Sequence, residues 1–212
     1  MLKVEDGCVN FCTYCIIPYA RGPVRSLPLS DAAAQAEKLA GEGYKELVLT
    51  GIEISSWGRD LAGKPELIDL IEAVCAAAPG CRIRLGSLEP RTITEEFCLR
   101  AAKLDNLWGH RLSNFTITEE FCLRAAKLDN LCPHFHLSMQ SGCDATLKRM
   151  NRKYDTARFM ESAGLIWKYF QNPVPAITAD MIVGFPGETD EEFYESMDFI
   201  SRCAFASMHI FP

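Results

Sequence analysis

Residues 30–51 read SDAAAQAEKLAGEGYKELVLTG. Ser30 is placed to cap an Ala-rich helix that runs to about Gly43. The ELVLT run over residues 46–50 then reads as a β-strand that stops at Gly51. A helix followed at once by a short β-prone run is one unit of an alternating α/β chain, and the unit recurs. Pro65 opens a second helix with Leu67, Ile68, Ile71 and Val74 as its apolar stripe. Asp155 starts a helix to about Phe170, and a Thr189/Glu192 capping box starts another to about Cys203. Further strands are predicted over residues 3–5, 82–85, 134–139, 177–183 and 206–211. Strands alternating with helices in this way predict a parallel sheet. A closed eight-stranded barrel takes roughly 250 residues, so 212 residues favour an open or partial barrel of six βα units. Reactive groups then belong beyond the C-terminal strand ends, in the loops after Glu5, Thr50, Leu85, Met139 and Val183.

Hydrophobic residues at 48% and charged residues at 24% exclude a disordered chain. Residues 1–6 carry charge and no apolar core, which argues against a signal peptide, and no apolar run reaches spanning length. The expected location is the cytoplasm, with no membrane partner. In a reducing compartment ten cysteines point to metal ligation before disulfides. A net charge of −6 equips the chain poorly to hold RNA by itself.

Residues 92–107, TITEEFCLRAAKLDNL, recur without a difference at residues 116–131, so that 92–131 holds a duplicated helical segment with a period of 24. Thr92 with Glu95 and Thr116 with Glu119 read as capping boxes. Ile93, Phe97, Ala101 and Leu104 recur at helical spacing, as do Ile117, Phe121, Ala125 and Leu128. A six-unit barrel offers one helix slot there. The second copy runs directly into the fourth strand and is expected to hold that slot. The first copy and the interval 108–115 are expected outside the barrel.

The strongest chemical signal is Cys8, Cys12 and Cys15, a C-x3-C-x2-C array just after the first strand. Three thiolates on one loop suit three irons of a [4Fe–4S] cluster and leave one position open. A structural zinc site completed by a distant Cys or His is the alternative. Cys75, Cys81, Cys98, Cys122, Cys132, Cys143 and Cys203 lack such spacing and read as small buried residues. His134 and His136 read as hydrogen-bonded strand residues before metal ligands. Met150, Met160 and Met181 read as packing. The basic stretch Lys148, Arg149, Arg152, Lys153 and Arg158 is either a solvated face or a contact to RNA or a carboxylate.

The run CVNFCTYC over residues 8–15 resembles the signature of radical S-adenosylmethionine (SAM) enzymes, and IIPYARG over 16–22 with Arg25-Ser26 is similar to their methylthiotransferase branch. TGIEISSWG (50–58), GSLEP (86–90), SMQSGC (138–143), LKRMNR (147–152) and DMIVGFPGET (180–189) resemble further family motifs in the family's order. Their wording is most similar to the branch acting on N6-threonylcarbamoyladenosine in tRNA. The resemblance implies an α/β fold, a partial (β/α)6 TIM-like barrel of the radical SAM type. It implies a [4Fe–4S] cluster on Cys8, Cys12 and Cys15, with SAM at the open iron. SAM contacts would come from Tyr14, Thr50, Gly51, Gln140, Ser141, Arg152, Ile182 and Gly184; no residue is singled out as catalytic. The implied reaction is methylthiolation at C2 of the modified adenine, with tRNA as substrate and a flavodoxin- or ferredoxin-like reductant. The family carries an N-terminal auxiliary-cluster domain and a C-terminal RNA-gripping TRAM domain. Residues 1–212 correspond to the core alone, so the chain is expected to cleave SAM without completing sulfur insertion. Another methylthiotransferase substrate (isopentenyladenosine or a ribosomal protein), an inactive fragment and a metal-binding module stand as alternatives.

Overall fold

The computed structural model describes residues 1–11, 13, 15–88, 92, 94–113, 117–127, 133–152 and 154–212; at residues 87 and 108–113 the description is of the backbone. The elements, in chain order, are β1 (Leu2–Lys3), β2 (Glu5–Asp6), α1 (Ile17–Arg21), β3 (Arg25–Ser26), α2 (Leu29–Gly41), β4 (Glu46–Thr50), a 3-10 turn (Ile54–Ser56), α3 (Leu67–Ala77) and β5 (Arg82–Leu88). Then come α4 (Glu95–Ala101), β6 (Leu107–Ser113), α5 (Glu119–Ala125), β7 (His134–Gln140), α6 (Asp144–Arg149), α7 (Thr156–Tyr169), β8 (Ala176–Ile182), α8 (Asp190–Arg202) and β9 (Ser207–Phe211). β1, β4, β5, β6, β7, β8 and β9 form one sheet in that order, every neighbouring pair parallel, while β2 and β3 pair antiparallel beside it.

This is the α/β, partial-barrel architecture expected from the alternation. Five of the predicted strands are present as β4, β5, β7, β8 and β9, while the run predicted over residues 3–5 divides between β1 and β2, which belong to different sheets. The remaining strand of the main sheet, β6, comes from the repeat, and the second sheet pairs Glu5 with Ser26 and Asp6 with Arg25.

Burial alternates along the strands. On β8, Ile177, Ala179 and Met181 are buried against the helices, while Thr178, Asp180 and Ile182 are only half-buried. On β7, Phe135, Leu137 and Met139 join the same core. The residues between them face the other way: His134 Nε2 and His136 Nδ1 lie 3.1 and 3.0 Å from Thr178 Oγ1, and His136 Nε2 lies 2.9 Å from Asp180 Oδ2. Asp180 Oδ1 is 3.1 Å from His209 Nδ1. Wholly covered parallel strands read as unbroken apolar runs. Here one face is an apolar core under helices and the other is a polar concave wall, which suits a half-open barrel.

Two local expectations shift. α2 begins at Leu29 after Pro28, so Ser30 lies inside its first turn and its Oγ reaches Asp31 Oδ1 at 3.3 Å. The pyrrolidine at residue 28 fixes the entry φ at −54°, and no side chain caps the helix. In the repeats the caps are the second threonines: Thr94 and Thr118 accept from the backbone N–H of Phe97 and Phe121 at 3.1 and 3.2 Å. With the helices starting at Glu95 and Glu119, two acids of each copy fall in the first turn, where the helix dipole favours them.

The larger correction concerns the duplication. Residues 92–131 are not continuously helical, and the first copy does not lie outside the barrel. The interval between the helices forms β6, inserted between β5 and β7. Each period therefore carries a strand as well as a helix, and the sheet widens by one complete βα unit. α4 packs beside α3, α5 beside α7, and the two copies touch each other. Arg100 ties the first copy in: its guanidinium bonds Glu72 through Nε and Nη2 at 2.9 and 2.7 Å and Asp69 at 2.5 Å. Lys168 Nζ bonds Glu119 of the second copy at 2.7 Å. Phe97 and Phe121 are each 2% exposed. Burying a Phe contributes roughly 1.5–3 kcal/mol, a gain that a copy left outside would forfeit.

Phe97→Ala and Phe121→Ala are therefore expected to destabilise the chain by similar amounts, about 3–5 kcal/mol each. Urea unfolding of the two variants measures this. A near-neutral Phe97→Ala would return the first copy to the outside.

Candidate metal and cofactor site

The parallel register sets the site. Leu2 lies level with Leu49 and Lys3 with Thr50, so the chain leaves β1 and β4 at one rim. Gln140 pairs with Met181 and Ile182 with Phe211 at the corresponding ends of β7, β8 and β9. The cysteine loop and the segments 51–58, 140–143 and 183–188 thus all start from that rim.

The cysteine loop is closed at its base. Cys8 N–H donates to Gly22 O at 3.1 Å. Gly7 has φ +87°, and a Cβ there would sit 2.0 Å from Pro23 O, so only glycine fits. Asp6 pins the same base: Oδ1 accepts from Gly7 N–H at 2.9 Å, and Oδ2 meets Lys3 Nζ at 2.7 Å, Arg25 Nη2 at 3.3 Å and Arg21 Nη1 at 3.8 Å. The hydrogen bond from Lys3 leads in holding its carboxyl below the usual range.

Cys8 and Cys15 are both half-buried. Cys12 and Tyr14 lie outside the described residues. Cys8 Sγ accepts the Asn10 N–H at 3.4 Å. Five of the other cysteines, Cys75, Cys81, Cys98, Cys122 and Cys203, are buried in the core. Burial pushes the Cys75 and Cys122 thiols up to about 12 and the Cys203 thiol up to about 11. Cys143 is also buried, with Sγ 3.2 Å from Glu195 Oε2, and burial again raises its pKa; Cys132 is outside the described residues. Burial separates a half-buried pair on the loop from buried packing thiols, a division that fits a cluster held at the loop.

The remaining predicted contacts divide by what already holds them. Thr50 O accepts Val4 N–H at 2.9 Å. Gly51 packs on Glu5 so closely that a Cβ would lie 2.5 Å from Glu5 Oε2. Gln140 is buried at φ +68°, left-handed at the end of β7, where β-bulge irregularity breaks the register; such strain is commonly stored at functional sites. Ser141 is turned into the protein, its Oγ 3.1 Å from Ser196 Oγ and accepting Cys143 N–H at 3.2 Å. Arg152 donates to Tyr154 Oη at 2.6 Å and Ser138 O at 3.0 Å. Ile182 is half-buried on the concave face, and Gly184 has φ +69° with its N–H on Glu188 Oε2 at 2.6 Å. Of the other basic residues, Arg149 pairs with Glu192, whose carboxyl that guanidinium draws down to about 2. Arg158 reaches Ile117 O at 2.9 Å, and Lys153 is outside the described residues.

Glu5 is a residue that the spacing did not single out. It is 1% exposed, and its Oε2 accepts the Glu53 N–H at 2.9 Å. Burial leads in raising its pKa, with the Glu53 and Asp6 carboxylates adding to the rise and backbone hydrogen bonds opposing it. Oε1 is buried with no hydrogen-bond partner among the described residues. The available signal was an acid continuing a strand whose Leu2 and Val4 are core residues.

Comparison with known proteins now bears on this arrangement. The sequence pattern described as the radical SAM superfamily matches residues 2–200. The chain belongs to the radical SAM superfamily. It is 38% identical over 212 residues to the threonylcarbamoyladenosine tRNA methylthiotransferase of Bacillus subtilis, covering 100% of this chain and 41% of that protein. It is 35% identical over 210 residues to the tRNA-2-methylthio-N(6)-dimethylallyladenosine synthase of Syntrophomonas wolfei, covering 99% and 41%. The chain spans about two-fifths of the length of these relatives. Among solved structures it resembles the fold of a radical SAM methyltransferase from Kitasatospora setae, with TM-score 0.57, 17% identity and coverage of 99% of this chain and 36% of that one. Among the described residues no helix is long and apolar enough to cross a membrane.

Gly7→Ala is expected to open the base of the superfamily's cysteine loop, by forcing φ out of the left-handed region and driving the carbonyl of Pro23 away. Iron bound after anaerobic reconstitution should fall at least several-fold, with the far-ultraviolet dichroism of the sheet and helices retained. Full iron loading by the alanine variant would show that the loop base does not depend on this contact.

Proposed function

We propose that this chain is the radical-generating core of a tRNA methylthiotransferase acting at C2 of N6-threonylcarbamoyladenosine. The observation that carries the reading is the separation of Cys8 and Cys15, accessible on a rim loop, from the buried packing cysteines. Cys8, Cys12 and Cys15 would hold a [4Fe–4S] cluster with one iron open to SAM. When bound, cluster and SAM supply a reductive source of the 5′-deoxyadenosyl radical for hydrogen abstraction.

The chain's own residues bind, orient and exclude water. Gly7, Asp6 and Gly22 fix the ligand loop. Thr50 and Gly51 flank the segment that would meet the methionine part of SAM, with Tyr14 beside the cluster loop. Gln140, Ser141, Arg152, Ile182 and Gly184 belong to the opposite rim segments, where the adenosyl part would lie; Ser141 acts there through its packing against Ser196. The concave wall of His136, Thr178, Asp180 and His209 is polar, as a wall facing a nucleoside should be. Substrate tRNA and an electron donor of the flavodoxin or ferredoxin kind are the partners this reading requires, in the cytoplasm. Sulfur transfer and firm RNA binding are assigned to regions outside residues 1–212. A dimethylallyladenosine substrate is the second reading, favoured by the relatives at 35% identity.

Anaerobic reconstitution with iron and sulfide, followed by dithionite and SAM, tests the proposal. The chain is expected to turn brown and release 5′-deoxyadenosine without methylthiolating tRNA. Cys8→Ala, Cys12→Ala and Cys15→Ala should each abolish both signals, while Cys143→Ala and Cys132→Ala keep them. A colourless zinc protein, or a cluster lost with Cys143 or Cys132, would overturn the three-ligand site.

The acidic net charge gives a second expectation. Binding of tRNA by residues 1–212 at physiological salt should be weak and should fade as salt rises. A filter-binding series from low to physiological salt reads this directly, and tight binding at the upper end would contradict it.

A further inference from the structure

Glu5 lies outside every motif considered above, yet the loop after β4 is built on it. Gly51 rests on its side chain: a Cβ at 51 would lie 2.5 Å from Oε2, 2.9 Å from Glu5 Cβ and 3.0 Å from Glu5 O. Two residues on, the Glu53 N–H donates to Oε2 at 2.9 Å. The peptide joining Ile52 to Glu53 is trans. In a trans peptide the N–H and the C=O point in opposite directions. Anchoring the Glu53 N–H on Glu5 therefore turns the Ile52 carbonyl away from Glu5. Ile52 is 38% exposed, so the loop lies at the surface there. The neighbouring Thr50 carbonyl is already engaged by Val4 N–H at 2.9 Å. A carbonyl held at an open rim accepts hydrogen bonds, and an ammonium group is a strong donor for it.

We propose that Glu5 is a positioning residue for SAM: by holding the Glu53 N–H it aims the Ile52 carbonyl at the ammonium group of the ligand's methionine part. This rests on the reading of the rim as a SAM site. A second observation marks the position as more than packing. Glu5 is a nearly fully buried acid whose Oε1 lacks a hydrogen-bond partner among the described residues. A purely structural position would lose that cost by carrying an apolar side chain. Gln keeps the acceptor oxygen and the shape. Leu keeps the volume and loses the acceptor.

The test measures equilibrium binding of SAM, and of a SAM analogue lacking the amino group, to anaerobically reconstituted protein. Iron content and the visible cluster absorbance are recorded alongside. Glu5→Leu is expected to keep its iron and lose about tenfold in affinity for SAM, a loss typical of a hydrogen bond to a charged group. Its affinity for the amino-lacking analogue should match wild type. Glu5→Gln should bind both as wild type does. Should Glu5→Leu fail to take up iron, Glu5→Asp, whose shorter chain draws the acceptor back from the Glu53 N–H, carries the same expectation. Equal losses for SAM and the analogue would make Glu5 a scaffold residue and overturn the inference, as would an unchanged SAM affinity. Wild-type protein that takes up iron and binds no SAM would instead sink the reading of the rim site, and the inference with it.

Discussion

The parallel register between β1 and β4 is the constraint on which the rim depends. Because Lys3 lies level with Thr50, the chain emerges from both strands at the same height. The cysteine loop and the segment after β4 then meet without any long side chain having to bridge them. A slip of one residue would reverse the faces of the short β1. Leu2, buried in the core, would turn outward in exchange for Lys3. The register is thus held by apolar burial at one end and used by polar chemistry at the other. The Val4 N–H to Thr50 O bond at 2.9 Å extends it just past the end of β1.

The same register logic explains how the duplication is tolerated. A helix added alone would have to compete for a groove already filled. A strand added with its helix lengthens the sheet and creates the groove that the new helix needs. Phe97 with Ala101 and Phe121 with Ala125 are buried alike, and each copy has a helix packed on either side. Arg100 and Arg124 show what differs. Both bond the glutamate one turn back in their own helix, Glu96 at 3.4 Å and Glu120 at 2.7 Å, and Arg100 also reaches across to Asp69 and Glu72. Identical sequence has acquired different partners because the neighbours differ.

This also marks where sequence was a sufficient guide. β4, β5, β7, β8 and β9 were legible because their β-prone runs alternate with helices that carry apolar stripes, as in residues 46–50 and 67–74. That Cys8 and Cys15 stand on a loop beyond the first strand was legible from their place in the chain. β6 was not, since in WGHRLS His110 interrupts the apolar face of Trp108 and Leu112, and Gly109 has low strand propensity. Its place comes from pairing on both sides, a tertiary effect that overrides local propensity. Gly7 and Glu5 were also hidden. A glycine before a cysteine and an acid at a strand end have many ordinary uses. Their meaning lies in a carbonyl 2.0 Å from an imagined Cβ and a backbone N–H 2.9 Å from a carboxylate oxygen.

Those two contacts belong to a wider pattern at the rim. Loops that must present backbone carbonyls need their N–H groups held, because an unpaired loop peptide is free to flip. Glu5 holds the segment after β4. Across the sheet, Glu188 holds the segment after β8, its Oε2 accepting Gly184 N–H at 2.6 Å and Phe185 N–H at 3.2 Å. Both acids therefore act on the backbone, and neither needs to touch a ligand to matter. The two are held differently. Glu5 is buried under Gly51, where a Cβ would collide, whereas Gly184 has open space around it and uses glycine for its φ of +69°. The first loop is fixed by steric fit as well as by its hydrogen bond, the second by hydrogen bonds and backbone freedom.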